Sequence, residues 1–115
     1  MQMVPFEAGR PFDIVAQRHG TTHTLTVTGE VDFAVSDRLA GDLHALIAGR
    51  PETALVDLAD MSFIDSTGIG ALVGAHLHAV ARDVHLVIVP PPGRVFRTFQ
   101  ACGLDRVLPF VGTRA

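Results

Sequence analysis

Four consecutive residues, Asp65-Ser66-Thr67-Gly68, offer the chemistry most worth weighing in this sequence. They sit inside FIDSTGIGALVGA (63–75), where an apolar run turns polar and then becomes glycine-punctuated and apolar again. An acid and two hydroxyls at such a junction have two uses. They can cap a helix, because Asp and Ser side chains accept from the orphan N–H groups of a first turn, worth about 1 kcal/mol. Alternatively, one hydroxyl can take a phosphoryl group. A helix N-terminus carries partial positive charge and unpaired N–H groups, so it tolerates an added phosphate. On this second reading Gly68 removes bulk just beyond the hydroxyls and eases the approach of a partner's catalytic site to Ser66.

Catalysis by these residues does not match the spacing. A nucleophile elbow requires glycine two residues before the serine, and that position is Ile64. The aspartic-protease pattern places glycine two residues after the acid, whereas Gly68 is three after Asp65. The six histidines form no ligand set. His76 and His78 are two apart on an expected helix and point to different faces, while His19, His23, His44 and His85 fall on separate elements. No metal or other cofactor is expected. Cys102, the single cysteine, has no internal disulfide partner and reads as a small buried helix-end residue in a reducing compartment.

The net charge is −3 and all nine basic residues are scattered arginines, so no stripe tracks a phosphate backbone and nucleic acid is not an expected ligand. The N-terminal segment has no apolar stretch of signal-peptide length, and Ile69–Ala81 is too short and too interrupted by histidine to span a bilayer. These features point to a soluble cytoplasmic protein.

The elements that position the four residues follow from hydrophobic period. Residues 1–11 form a loose lead-in containing Pro5, Gly9 and Pro11, residues 12–112 one domain, and 113–115 a tail. DIVAQRH (13–19) and TTHTLTVTGEVD (21–32) read as strands around a turn at Gly20, with Thr24, Thr26 and Thr28 on a solvated face. Leu39, Leu43, Leu46 and Ile47 have helical spacing over 36–50, after Ser36 as N-cap and before Gly49 and Pro51 as terminators. TALVDLA (53–59) reads as a central strand, followed by a polar turn at 60–62. The helix expected at 66–82 turns Ile69, Leu72, Val73, His76, Leu77 and Val80 to one face, and Gly70 and Gly74 would let a neighbour approach closely. VHLVIV (84–89) is a buried strand, GRVFRTFQACG (93–103) a short helix, and RVLPF (106–110) an edge strand. The order β-β-α-β-α-β-α-β gives an α/β domain with a small mixed sheet of four or five strands.

Three stretches, TGEVD (28–32), FIDSTGIGALV (63–73) and GLDRVLPF (103–110), resemble the bacterial anti-sigma factor antagonists, the single-domain members of the STAS family. The element order extends the resemblance across nearly the whole chain. It implies a mixed sheet with helices packed mainly on one face. It also implies that Ser66 is phosphorylated by a partner anti-sigma factor that is itself a serine kinase, with Asp32 and Asp65 beside it. The implied switch surface is Asp32, Asp65, Ser66, Thr67, Gly68 and Ile69, with Thr67 a second hydroxyl. The unphosphorylated form would bind the anti-sigma factor and free the sigma factor, and a separate phosphatase would reset it. The sparsely basic end of the second helix and the PPP loop (90–92) depart from the pattern. A second reading keeps the fold but assigns it to a transport, stress-signalling or ligand-sensing assembly. A third, an enzyme, lacks a nucleophile–base pair.

Overall fold

The computed structural model describes residues 11–112, so the expected lead-in before Pro11 and the tail at 113–115 lie outside the described residues. Among these residues five strands form one sheet and three helices accompany it. In chain order they are β1 (Phe12–His19), β2 (Thr22–Val31), α1 (Phe33–Ala48), β3 (Thr53–Asp57), β4 (Met61–Ile64), α2 (Ser66–Arg82), β5 (His85–Val89) and α3 (Gly93–Ala101). The sheet runs β1-β2-β3-β5, and β4 also pairs with β2.

β1 and β2 form an antiparallel hairpin closed at Gly20, whose φ of 62° suits a tight hairpin turn. Every other pairing between strands is parallel, as crossover helices require. β2 therefore serves two neighbours in succession, β3 along Thr22–Thr26 and β4 along Gly29–Val31. The change of partner comes with a bulge at Gly29/Glu30. Gly29 has φ 85°, and a Cβ there would collide with the Pro11 carbonyl, whose oxygen accepts from Glu30 N at 2.9 Å.

The β4 strand replaces the turn expected at 60–62. It is four residues long and buries Met61 and Ile64, too little to show a period in the sequence. The edge strand expected over 106–110 is instead a 3₁₀ turn at Leu104–Arg106 and a single parallel bridge from Phe110 to Ile88. Pro109 lends its carbonyl to Ile88 N at 3.0 Å and has no N–H to continue a ladder. α1 starts at Phe33, one turn earlier than expected. Asp32 is its N-cap, and Ser36 is buried inside the helix with its hydroxyl donating to Phe33 O at 3.2 Å. At its other end the left-handed residue is Arg50 (φ 53°), not Gly49.

α1 and α2 pack on each other, with Leu39, Leu43 and Ile47 of α1 and Leu72, Ala75 and Ala79 of α2 buried in the core. That core also takes Leu25 and Val27 of β2, Val56 of β3 and Ile88 of β5. α2 is rotated from its expected setting: Leu77 and Val80 are exposed, and the smaller Ala75 and Ala79 face inward. Gly70 and Gly74 do not admit a close neighbour. A Cβ at either would meet nothing within 4 Å, and both line a groove of about 230 Å³ beside α1. Thr24, Thr26 and Thr28 are half-buried on the other side of the sheet, and Cys102 is exposed, not buried. Phe96, Phe99 and Phe110 meet edge to face or tilted, with centroids 5.1–6.5 Å apart, and fasten α3 near the end of β5.

One polar contact joins the two long helices. The His44 ring of α1 stacks on the His78 ring of α2 with centroids 4.4 Å apart and planes within 10°. His78 Nε2 is sealed from solvent and has no hydrogen-bond partner among the described residues. Desolvation, then the nearby Arg82 guanidinium and His44, hold the His78 pKa below the ordinary imidazole value. The unfolded chain then binds more protons than the folded one just below pH 6.5, so this contribution to stability is complete above that value and is lost on acidification. Denaturant titrations between about pH 7.5 and about pH 5.5 should show the natural chain losing more stability than His78→Phe.

Candidate functional site

The parallel register Val31↔Ile64 brings the carboxyl ends of β2 and β4 side by side. The next residue of each strand is an acid, and each acid caps a helix. Asp32 Oδ1 accepts from Ala34 N at 2.9 Å, and Asp65 Oδ1 accepts from Thr67 N at 3.0 Å and Gly68 N at 3.2 Å. The backbone ties the two corners together, since Asp65 N donates to Val31 O at 3.1 Å. Two helix N-termini therefore open at the same edge of the sheet, each with its partial positive charge. This is the crevice beyond the carboxyl ends of parallel strands where α/β sheets commonly place their function.

The two hydroxyls in the first turn of α2 differ. Thr67 Oγ1 donates to Asp65 Oδ1 at 2.6 Å, so its proton is engaged. Ser66 is exposed, and its Oγ makes no hydrogen bond among the described residues. The same network sets the charge of the acid. The Thr67 hydroxyl most of all, with the N–H groups of Gly68, Thr67 and Phe33, outweighs desolvation and lowers the Asp65 pKa from the ordinary carboxylate value. Asp65 is thus ionised at neutral pH.

Gly68 and Ile69 are placed differently from the other expected switch residues. Both are buried and lie behind the surface, not on it. Gly68 does not clear a path to Ser66. A Cβ there would stand 2.7 Å from Val31 Cγ1 and 2.8 Å from Ile64 Cγ1, so its absence lets α2 press onto the ends of β2 and β4. Asp65 and Asp32 are half-buried, and Ser66 and Thr67 are exposed. Two residues that the sequence did not single out belong to this edge. Phe33, directly after Asp32, is 75% exposed, and Phe63, two before Asp65, is 43% exposed. The sequence signal for Phe33 was an aromatic residue directly after an acid; Phe63 gave none, because the strand that carries it has no local period.

Among the described residues no group of three or more His, Cys, Asp or Glu is placed to hold a metal ion, and no helix is long and apolar enough to cross a membrane. What the arrangement offers is an exposed hydroxyl at a helix start, directly after an ionised acid.

Two measurements check this geometry. Gly68→Ala should cost about 1–3 kcal/mol in denaturant unfolding, because the added methyl overpacks Val31 and Ile64. In an NMR pH titration Asp65 should have its midpoint below the ordinary carboxylate value of about 3.9, and Thr67→Val should raise it. The corresponding stability is present above that ordinary value and lost as pH falls through the depressed one.

Comparison with known proteins places this architecture. Residues 13–115 match the STAS domain family. An anti-sigma-B factor antagonist of Listeria monocytogenes is 30% identical over 84 residues, covering 73% of this chain and 74% of that protein. An anti-sigma factor antagonist from Mycobacterium paratuberculosis superposes with a TM-score of 0.78 at 22% identity, over 90% of this chain and 87% of the other. The Bacillus cell fate determinant SpoIIAA in its phosphorylated form gives 0.65 at 20% identity, over 90% and 93% of the two chains. With its mixed sheet, its helix order and its Asp-Ser-Thr-Gly turn at the start of α2, the chain belongs to the STAS domain family, among the anti-sigma factor antagonists.

Proposed function

We propose that this protein is an anti-sigma factor antagonist that works by partner switching. Unphosphorylated, it docks the edge bearing Asp32, Asp65, Ser66 and Thr67 on an anti-sigma factor serine kinase, which releases its sigma factor. The kinase transfers the γ-phosphoryl group of Mg-ATP to Ser66 Oγ. The hydroxyl proton is lost and ADP leaves. The phosphorylated antagonist dissociates, and a phosphatase restores the hydroxyl by hydrolysis.

The observation that carries this reading is the difference between the two hydroxyls. Ser66 Oγ is exposed and unengaged among the described residues, whereas Thr67 Oγ1 is committed to Asp65 at 2.6 Å. The names of relatives support it: the Listeria protein is called an anti-sigma-B factor antagonist, and SpoIIAA has been seen phosphorylated.

The magnitudes are sufficient. Moving a population from 1:99 to 99:1 takes about 5.5 kcal/mol. A phosphate brings close to two negative charges near neutral pH, and each costs at most ~4 kcal/mol against a partner carboxylate that docking brings to about 4 Å at an effective dielectric near 20. The helix N-terminus returns only about 0.3–1 kcal/mol, and does so in free and docked protein alike. Refolding of the domain is not required.

The test uses the full chain as bait, the kinase it captures, and Mg-ATP. Mass spectrometry should find one phosphate, on Ser66. Ser66→Ala should keep binding and refuse the label, while Ser66→Asp should weaken binding at least about tenfold. Phosphate on Thr67 alone, or undiminished binding by Ser66→Asp, overturns the assignment.

A further inference from the structure

We propose that a cleft at the opposite end of α1 from Ser66 is a binding site for a small amphipathic carboxylate, an aliphatic chain ending in one anionic group. The cleft lies between the β1–β2 hairpin and the C-terminal half of α1, is open to solvent on one side, and has a volume of about 460 Å³. Small-molecule sites commonly measure about 300–1,000 Å³ and are apolar with a few placed polar groups.

Residue size creates it. Across the hairpin Ile14 faces Val27, Ala16 faces Leu25 and Arg18 faces His23, so all six share the helix-covered side of the sheet. Ile14, Val27 and Leu25 are buried there. At Ala16 the strand side becomes small, and the helix opposite becomes small as well, with Ala45 and Gly49. These three residues are exposed, while Leu25 and Leu46 floor the cleft at 2% and 8% exposure. The described chain ends are tied elsewhere. Pro11 bonds to Glu30 at the other end of the hairpin, and Phe110 bridges to Ile88 on β5, beyond β3 from the hairpin.

The polar groups select the head. Arg18 makes no ion pair or hydrogen bond among the described residues, and its cross-strand neighbour His23 stands beside it. The acid of the cleft, Asp42, faces Arg38 on its own helix at 3.7 Å. The charge left over is therefore cationic and lies on the strand side. The last carbonyls of α1 make the Gly49 end, which His23 approaches, partially negative; this opposes any anion there, a phosphate dianion most, and leaves Arg18 to hold a single carboxylate. The chain then lies over Ala16, Leu25, Ala45 and Leu46.

Decanoate is the probe, titrated into uniformly ¹⁵N-labelled protein and followed by NMR. Saturable shifts should appear at the amides of Ala16, Leu25, Ala45 and Gly49. Ala45→Leu, which fills the cleft from an exposed helix position, should lower affinity at least about tenfold. Arg18→Gln should weaken decanoate about tenfold and leave 1-decanol unchanged. Shifts that do not saturate, shifts confined to other surfaces, decylamine binding as well as decanoate, or either variant binding like the natural chain would overturn the proposal. None of these readouts depends on Ser66, so failure here leaves the partner-switching reading to its own test.

Discussion

The first turn of α2 rests on the ends of β2 and β4 so closely that position 68 has no room for a side chain. A Cβ there would lie 2.7 Å from Val31 and 2.8 Å from Ile64. This single contact fixes how far the helix start can stand from the sheet. From it follow the Asp65 N–H bond to Val31 O, the neighbouring positions of the two capping acids, and the outward direction of Ser66. Because Val31 and Ile64 belong to the core, the surface geometry at Ser66 is set by the same packing that stabilises the domain.

Packing of this kind explains which parts of the fold were legible in the sequence. α2 spans 66–82 in the structure as it does by period and capping, because Asp65 at its start and Asp83 at its end act locally. β2 was legible for the same reason, as its alternation of Thr with Leu and Val is a local pattern. β4 was not. Its four residues are a strand only because β2 changes partner at the Gly29 bulge, a long-range event with no local period. The start of α1 was misplaced because Asp32 and Ser36 are both good caps. Phe33, 75% exposed, supplied no apolar phase to decide between them. The buried face of α2 was turned for a steric reason: the sheet and α1 take the small Ala75 and Ala79 against them and leave Leu77 and Val80 outside.

The site divides in the same way. Asp32 entered through the family resemblance, whereas Asp65 and Ser66 could be placed at a helix start from residue type and order. The difference between Ser66 and Thr67 could not, since it rests on which hydroxyl reaches Asp65 Oδ1, and that depends on the turn geometry. Nor could the role of Gly68, where a glycine after a hydroxyl reads as open space in sequence and is a close contact in structure.

On the partner-switching reading, an ionised Asp65 next to the phosphorylated serine raises a question of balance. Repulsion between the two is present in the free protein as well as the docked one, so on its own it shifts no equilibrium. Docking changes the medium between them. Free in water, the charges at this exposed turn interact through a high dielectric, at about 1 kcal/mol per pair of unit charges some 4 Å apart. Covered by a partner, they interact through a lower dielectric, and the same pair costs several times more. Asp65 would then be tolerated when Ser66 is bare, because its charge is satisfied by Thr67, Gly68 and the α2 N-terminus. It becomes a penalty only when a phosphate and a partner are present together. A carboxylate used as a helix cap can in this way also sharpen a switch, with no change in the backbone that holds it.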